Sequence, residues 1–402
     1  MSKFFRLLFL VLLFFLLPTG GAQAGEPQIV GEAAVLMDLD TGRFLYEKNA
    51  DRAMSPASTA KILTALVAVQ NGRDRLDERV VMSEAAIHVG GSAIWPTPDE
   101  EFSLRELLWS VILVSANDAA TAVAEHVHGS VEEFVAAMNA QAWRLGAHNS
   151  HFVNPHGLHD ERQYTTARDL ALIARAALAQ PLIREMTATK TYRLTRADPD
   201  ALSLLVNHNK LLWRYEGAIG LKTGYTVPAG QCLVSAAERN GRTVLAVVLK
   251  SEGTNIWTDS AALLDYGHNR FRSLVPVREG DEIGSVPVVF GNGKAVLRAG
   301  SGVTHVVPVD DPAPVRWQLR LERELIAPLG AGEQVGTLIV HCGDEEIGQA
   351  PVLVAAAVPR LPSTTWWYRA GLVLGGLFLL ILGLRFSIRR SRARYYRRRR
   401  RR

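Results

Sequence analysis

Ser55-Pro56-Ala57-Ser58-Thr59-Ala60-Lys61-Ile62-Leu63-Thr64-Ala65-Leu66-Val67-Ala68-Val69-Gln70 is the stretch from which the fold is read. Pro56 breaks the chain, and Ile62, Leu63, Leu66 and Val69 then recur at helical spacing, which predicts a helix from about Ser58 to about Gln70. Upstream, Ala33 to Met37 and Arg43 to Glu47 flank Asp40-Thr41-Gly42, a hairpin turn with glycine where a positive φ is needed. Downstream, Gln231 to Ala237 and Arg242 to Lys250 flank Asn240-Gly241, the signature of a type I′ turn. The sheet is therefore at least partly antiparallel. Helical periodicity also marks Leu104 to Leu113, Ala119 to Val127 and Leu170 to Leu178, between the two hairpins. Helices inserted between strands of one antiparallel sheet make an α+β domain.

That mixture ends near residue 272. From Ser273 to Val358 short apolar runs alternate with turn signals, as in Pro287 to Phe290, Gly291-Asn292-Gly293 and Ala295 to Arg298, then Arg316 to Leu321 and Val335 to Val340. A small β-sandwich over 273–358 is expected, after a first domain over 25–272. Residues 359–365, with two prolines, read as a linker.

With 402 residues, 48% hydrophobic and 21% charged, the chain can bury a full core, which excludes a mainly disordered protein. Its two cysteines, Cys232 and Cys342, exclude a disulfide scaffold and a cysteine-rich metal site. The formal charge of +5 is an effect of the ends. Lys3 and Arg6 and the eleven arginines from Arg385 to Arg402 more than account for it, leaving the segment between with a charge of −8. No nucleic-acid-binding surface is implied.

Both ends point to membranes. Lys3 and Arg6 precede the apolar run Leu7 to Leu17, and Ala22-Gln23-Ala24 follows as a small-x-small cleavage site, so residues 1–24 read as a secretory signal peptide. At the other end, residues 366–384 offer an apolar span of nineteen residues with Trp366, Trp367 and Tyr368 at one edge, about 28 Å as a helix. The arginines of 385–402 should stay in the cytoplasm by the positive-inside rule, which places the body outside it.

Three short motifs carry the chemistry. Ser58 and Lys61 stand three apart on one helix face, so the amine can take the hydroxyl's proton, and the positive potential of a helix start favours an alkoxide and a neutral amine. Ser115-Ala116-Asn117 falls between two helical runs, where a kink would expose a hydroxyl and an amide together. Lys222-Thr223-Gly224 precedes the Cys232 hairpin and occupies a candidate strand whose glycine lets a ligand approach the backbone.

This ordered set resembles the signature of penicillin-binding proteins and serine β-lactamases, and the chain is similar to the D-alanyl-D-alanine carboxypeptidases of the low-molecular-mass penicillin-binding class. Pro56 to Thr64, Asn117 to Ala120, Asn154-Pro155-His156-Gly157-Leu158 and Lys222 to Thr226 carry the likeness. The resemblance implies a transpeptidase-like domain with helices on both faces of the sheet, then a β-rich domain and a membrane attachment. The apolar span and polyarginine tail depart from the amphipathic helix that many members use.

The resemblance further implies hydrolysis of the terminal D-alanine of peptidoglycan stem pentapeptides through a serine acyl-enzyme, with β-lactams as inhibitors and without metal or cofactor. Ser58 would be the nucleophile and Lys61 its base. Ser115 would relay a proton to the departing D-alanine while Asn117 holds the substrate amide. Lys222 and Thr223 would bind the terminal carboxylate, with Gly224 beside them, and the amides of Ser58 and Tyr225 would hold the oxyanion. The setting would be the periplasmic side of the inner membrane. The motifs leave a DD-endopeptidase and an inactive membrane-anchored scaffold open, whereas a β-lactamase would need a Glu-x-x-x-Asn pattern that Glu161 does not begin. His156, His159, Asp160 and Glu161 could suggest a metal cluster, but a structural loop is the simpler reading. Trp257 reads as core or rim, Cys232 as a small buried hydrophobe, and Gly371-x-x-x-Gly375 as a possible helix-pairing stripe in the membrane.

Overall fold

The computed structural model describes residues 25–97, 100–196, 200–201, 203–310, 314–362 and 365–399, so the signal-peptide stretch lies outside the described residues. The described chain forms two compact units. The first ends at Arg272 and takes back Pro308–Asp310, and the second holds Ser273–Val307 and the chain after residue 310.

In the first unit β1 (Ala33–Asp38), β2 (Phe44–Lys48), β3 (Ala218–Thr226), β4 (Gly230–Arg239) and β5 (Arg242–Ser251) make one antiparallel sheet in the order β2-β1-β5-β4-β3. The two hairpin turns form for the reasons their residues suggest. Gly42 has φ +75°, and Thr41 donates from its amide and its hydroxyl to Asp38 Oδ1. Asn240 and Gly241 both take positive φ, 53° and 73°, as a type I′ turn requires.

Strand β1 shows why the domain has three layers. Ala33, Val35 and Met37 enter one apolar cluster, and Ala34 and Leu36 enter another. Side chains alternate across a strand, so both faces of the sheet are covered. One face takes α1 (Lys61–Asn71), α2 (Leu104–Leu113), α3 (Asn117–His128), α4 (Val131–Arg144), α5 (Ala167–Leu178) and α6 (Pro181–Ala188); the other takes α7 (Asn255–Arg270) through Ile256, Leu263 and Leu264.

Helix α1 is buried along its length from Lys61 to Val69. It is apolar almost all round because it runs through the middle of the helical layer, where Ile62, Leu63 and Leu66 each contribute about 2 kcal/mol of burial. A capping box at Ser103 and Glu106 starts α2, and Gly129 at φ +83° ends α3.

The second unit is built on a five-stranded antiparallel sheet of β6 (Glu282–Pro287), β7 (Lys294–Ala299), β8 (Val315–Leu321), β9 (Gln334–Cys342) and β10 (Glu345–Val354), in the order β6-β7-β10-β9-β8. Its core gathers Leu297, Val335, Leu338, Val340, Ala350 and Val352. A final helix, α8 (Trp366–Arg399), is long and apolar enough over Trp366–Arg394 to cross a membrane. Its 34 residues span about 51 Å, more than a bilayer core, so its arginine-bearing turns continue beyond the apolar stretch.

Candidate active site

Ser58 does not begin the α-helix, as its spacing suggested. Ala57–Ala60 forms a separate 3-10 turn and α1 starts at Lys61. The cause is local: Ala57 sits at φ +46° after Pro56, and Thr59 turns both its amide and its hydroxyl onto the Pro56 carbonyl. Left-handed backbone at a non-glycine residue is costly, about 1–3 kcal/mol, and is held here by a fully buried Ala57. A 3-10 turn places residues three apart one above the other, and Lys61 Nζ lies 3.1 Å from Ser58 Oγ.

Lys61 is fully buried and has three oxygen neighbours: Ser58 Oγ, Asn117 Oδ1 at 2.6 Å and the His156 carbonyl at 2.5 Å. Burial, and secondarily the Lys222 cation, hold its pKa well below the ordinary lysine value, with Asp118 opposing weakly. A neutral amine has two N–H donors and one lone pair. Donation to Asn117 and His156 leaves the lone pair for the Ser58 hydroxyl proton, which is the arrangement a general base needs.

Ser115 has φ +64° and forms the kink between α2 and α3. Among the described residues no hydrogen bond joins its hydroxyl to Ser58 or Lys61. Asn117 is fixed from both ends: its side-chain amide donates to the Gly90 carbonyl at 2.8 Å, and its backbone amide donates to Ser92 at 2.6 Å. Gly91 makes this possible, because a Cβ there would sit 2.6 Å from Asn117 Nδ2.

Lys222 and Gly224 share a face of β3, by the two-residue period of a strand. Lys222 is buried, donates to the Thr223 carbonyl at 3.1 Å, and has its pKa pushed down to about 7 by burial. Gly224 lies directly against the turn of the serine, with the site of its missing Cβ 3.0 Å from the Ser58 nitrogen and 3.1 Å from that of Thr59. Thr223 is half-buried and Tyr225 exposed, at the mouth of the same strand. The three motifs thus converge. Ser58, Lys61 and Asn117 are in direct contact, Gly224 packs on the amide of Ser58, and Lys222 is close enough to lower the pKa of Lys61.

Comparison with known proteins accounts for this convergence. The profile of the D-alanyl-D-alanine carboxypeptidase family matches residues 21–253. The chain belongs to that family. Residues 271–360 match the C-terminal domain of penicillin-binding protein 5. The chain is 32% identical over 338 residues to the D-alanyl-D-alanine carboxypeptidase DacF of Bacillus subtilis, covering 83% of this chain and 87% of that protein. It is 33% identical over 352 residues to DacA of Escherichia coli K12, covering 84% and 85%. The solved structure of penicillin binding protein 5 from Haemophilus influenzae superposes with a TM-score of 0.71 at 29% identity, over 84% of this chain and all of that one. This is a serine-type D-alanyl-D-alanine carboxypeptidase, with the transpeptidase-like domain and the β-rich domain of its relatives.

Two contributors to the site act in ways that the sequence reading did not assign to them. His156 supplies a backbone carbonyl to Lys61, and its ring is a structural part of the loop. Nδ1 accepts the Leu158 amide at 3.2 Å, and burial, the largest cause, lowers its pKa to about 3, so the imidazole is neutral. The nearby Asp160 is paired with Arg162 at 2.8 Å. Gly157 follows at φ +83°, with its missing Cβ against the Ala57 carbonyl. Asp118 is the second contributor: it accepts the amides of Ile94 at 2.9 Å and Trp95 at 3.2 Å and so ties the loop before α2 to the start of α3. Cys232 pairs in register with Gly224 but is buried, and burial raises its thiol to about 11, so it is no nucleophile. Trp257 packs at the edge of the α7 cluster, with Lys210 Nζ 5.8 Å from its ring.

Proposed function

We propose that Ser58 is the acylated nucleophile of this carboxypeptidase and Lys61 the base that activates it. The observation that carries the reading is the set of contacts around Lys61 Nζ, a buried amine with a lowered pKa that meets Ser58 Oγ, Asn117 Oδ1 and the His156 carbonyl. Ser58 Oγ attacks the penultimate D-alanine carbonyl as its proton passes to Lys61, and the C–N bond to the terminal D-alanine breaks as Ser115 relays a proton to the departing amine. Water then hydrolyses the ester and restores the hydroxyl. Lys222 and Thr223 receive the terminal carboxylate, Asn117 the substrate amide, and the backbone amides of Ser58 and Tyr225 the oxyanion. Glu161 lies exposed in its loop, which gives no support to a β-lactamase-type deacylating base.

The substrate is the D-alanyl-D-alanine end of a peptidoglycan stem peptide, and β-lactams acylate the same serine. Residues 1–24 are removed on export, 25–272 and 273–358 lie on the outer side of the inner membrane, 359–365 link them to a single span at 366–384, and 385–402 remain in the cytoplasm. The test is release of free D-alanine from a peptide ending in D-alanyl-D-alanine, by wild-type protein and by Ser58→Ala. Loss of release in the variant supports the reading, and undiminished release removes Ser58 from the role.

A further inference from the structure

The second unit has an edge built from three short segments outside its sheet. Val289 pairs in parallel with Ile326, through the Val289 amide on the Leu325 carbonyl at 2.7 Å and the Ala327 amide on the Val289 carbonyl at 2.9 Å. Gly291 pairs antiparallel with Arg360, and the Leu361 amide donates to the Phe290 carbonyl at 2.9 Å. Leu325 and Ala327 are buried in the core of the unit, so Ile326 between them points outward and is 48% exposed. Phe290 is 42% exposed at φ +60°, a conformation that a bulky residue rarely takes, and the Arg360 guanidinium lies 5.0 Å over its ring. Glycine at 291 lets this ribbon close, since a Cβ there would stand 2.9 Å from Val358 Cγ1 and 3.0 Å from Val288 Cγ1.

Chain length ties the ribbon to the membrane helix. Leu361, held to Phe290, is followed by Pro362, whose carbonyl accepts the Thr365 amide at 3.1 Å, a contact that keeps these two residues within about 7 Å. Helix α8 starts at the next residue, Trp366. Leu361 and Trp366 are therefore no more than about 15 Å apart, the sum of two Cα–Cα steps and that contact. Trp366, Trp367 and Tyr368 are all exposed, and these residue types settle at the boundary between headgroups and acyl chains. The ribbon thus hangs within reach of the same boundary, with an aromatic and an aliphatic side chain turned outward.

We infer that this ribbon, with Phe290 and Ile326 at its surface, is a second membrane contact, seated in the outer headgroup layer of the bilayer that α8 crosses. The inference rests on the reading of α8 as a membrane span. Glu324 and Arg360, both exposed, flank the apolar pair, a mixture that suits headgroups and not hydrocarbon. Arg360 meets lipid phosphate, while Phe290 and Ile326 enter the upper edge of the acyl region. Two side chains alone would not hold a soluble protein on a membrane, but the tether supplies an effective concentration at which weak contact suffices. Strand β9 fixes the consequence for this unit. Its Gln334 end lies by the ribbon, because the Gly332 amide bonds to the Val354 carbonyl and Leu329 pairs with Val358. Asp344 follows its far end, about 30 Å along the strand, and with the ribbon on the membrane it stands in water.

The test uses the full chain in vesicles of phosphatidylethanolamine and phosphatidylglycerol, with a thiol-linked nitroxide at Glu324→Cys or, separately, at Asp344→Cys. Cys232 and Cys342 are buried, and the unsubstituted chain gives the background. Collision of the label with lipid-soluble oxygen is compared with collision with a water-soluble nickel chelate. The oxygen-to-nickel ratio should be several-fold higher at 324 than at 344. Phe290→Ser combined with Ile326→Ser should bring it down to the value at 344, in protein that still releases D-alanine. Equal ratios at 324 and 344 in the chain that keeps Phe290 and Ile326 overturn the contact and leave the span intact. So does a high ratio at 324 that the double substitution does not lower. A chain that a carbonate wash strips from the vesicles overturns the span reading and the contact with it.

Discussion

Gly224 lies against the backbone nitrogen of Ser58, with only 3.0 Å between that nitrogen and the place a Cβ would occupy. The strand that carries Lys222 can approach the serine's turn this closely only because residue 224 has no side chain. Gly224→Ala should push β3 and the turn apart by a few tenths of an ångström. Acylation should fall by about 10²-fold, since small misplacements of reacting groups are expensive, while stability falls by only about 1–2 kcal/mol. Penicillin acylation kinetics and thermal unfolding separate the two effects; near-normal acylation would show that the close packing does not position the site.

Gly157 sets a contrast. Its φ of +83° and its contact with the Ala57 carbonyl leave an alanine neither the conformation nor the room. Gly157→Ala should cost about 3 kcal/mol or more. A smaller loss by denaturant titration than for Gly224→Ala would contradict the packing described around the 3-10 turn.

Lys61→Met keeps most of the side chain's volume and removes the amine. The acylation rate should drop by about 10²–10⁴-fold, the usual worth of a positioned base, with D-alanyl-D-alanine peptide still bound. Unchanged kinetics would remove Lys61 from that role.

The pH profile should have two limbs of opposite sign. In the proposed role Lys61 works as a neutral amine, so kcat should rise with pH as its depressed pKa is passed. Lys222, proposed to bind carboxylate as a cation, has its pKa lowered to about 7 and loses that charge as pH climbs, so KM for a free-carboxylate peptide should rise above about pH 7. Lys222→Gln should abolish the alkaline limb, and an amidated peptide should not show it in wild type. An alkaline limb that persists in the variant would assign it to another group.

The convergence of these residues was legible in the sequence because the proposed nucleophile, base and carboxylate binder are side chains with distinctive chemistry at short, ordered spacings. Ser58 and Lys61 needed only one helical turn to meet, and a 3-10 turn serves that purpose as well as the α-helical one the spacing suggested. Both hairpins were readable because Asp40-Thr41-Gly42 and Asn240-Gly241 have few conformations open to them. The His156 carbonyl and the clamp of Asp118 on Ile94 and Trp95 were not readable in the same way. They act through backbone groups or across more than twenty residues, and no residue type announces a carbonyl. The ribbon around Phe290 was hidden for the same reason, since Val289, Ile326 and Arg360 are brought together by tertiary packing alone.

Helix α8 makes the attachment testable. A chain ended after Pro362 should be soluble and retain D-alanyl-D-alanine hydrolysis, whereas the full chain should resist carbonate and high salt and need detergent. Each arginine beyond the span adds about 1 kcal/mol of attraction to an anionic surface, but salt screens that term and leaves a true span in place. Release of the full chain by salt alone would make α8 a surface helix.

The central claim is that Ser58, activated by Lys61, forms the acyl-enzyme, and mapping a penicillin adduct tests it most directly. Mass spectrometry of the soluble chain after brief exposure to penicillin should show one added acyl group on the peptide containing Ser58, and none in Ser58→Ala protein of unchanged thermal stability. An adduct on any other residue, or one that survives in Ser58→Ala, would contradict the account.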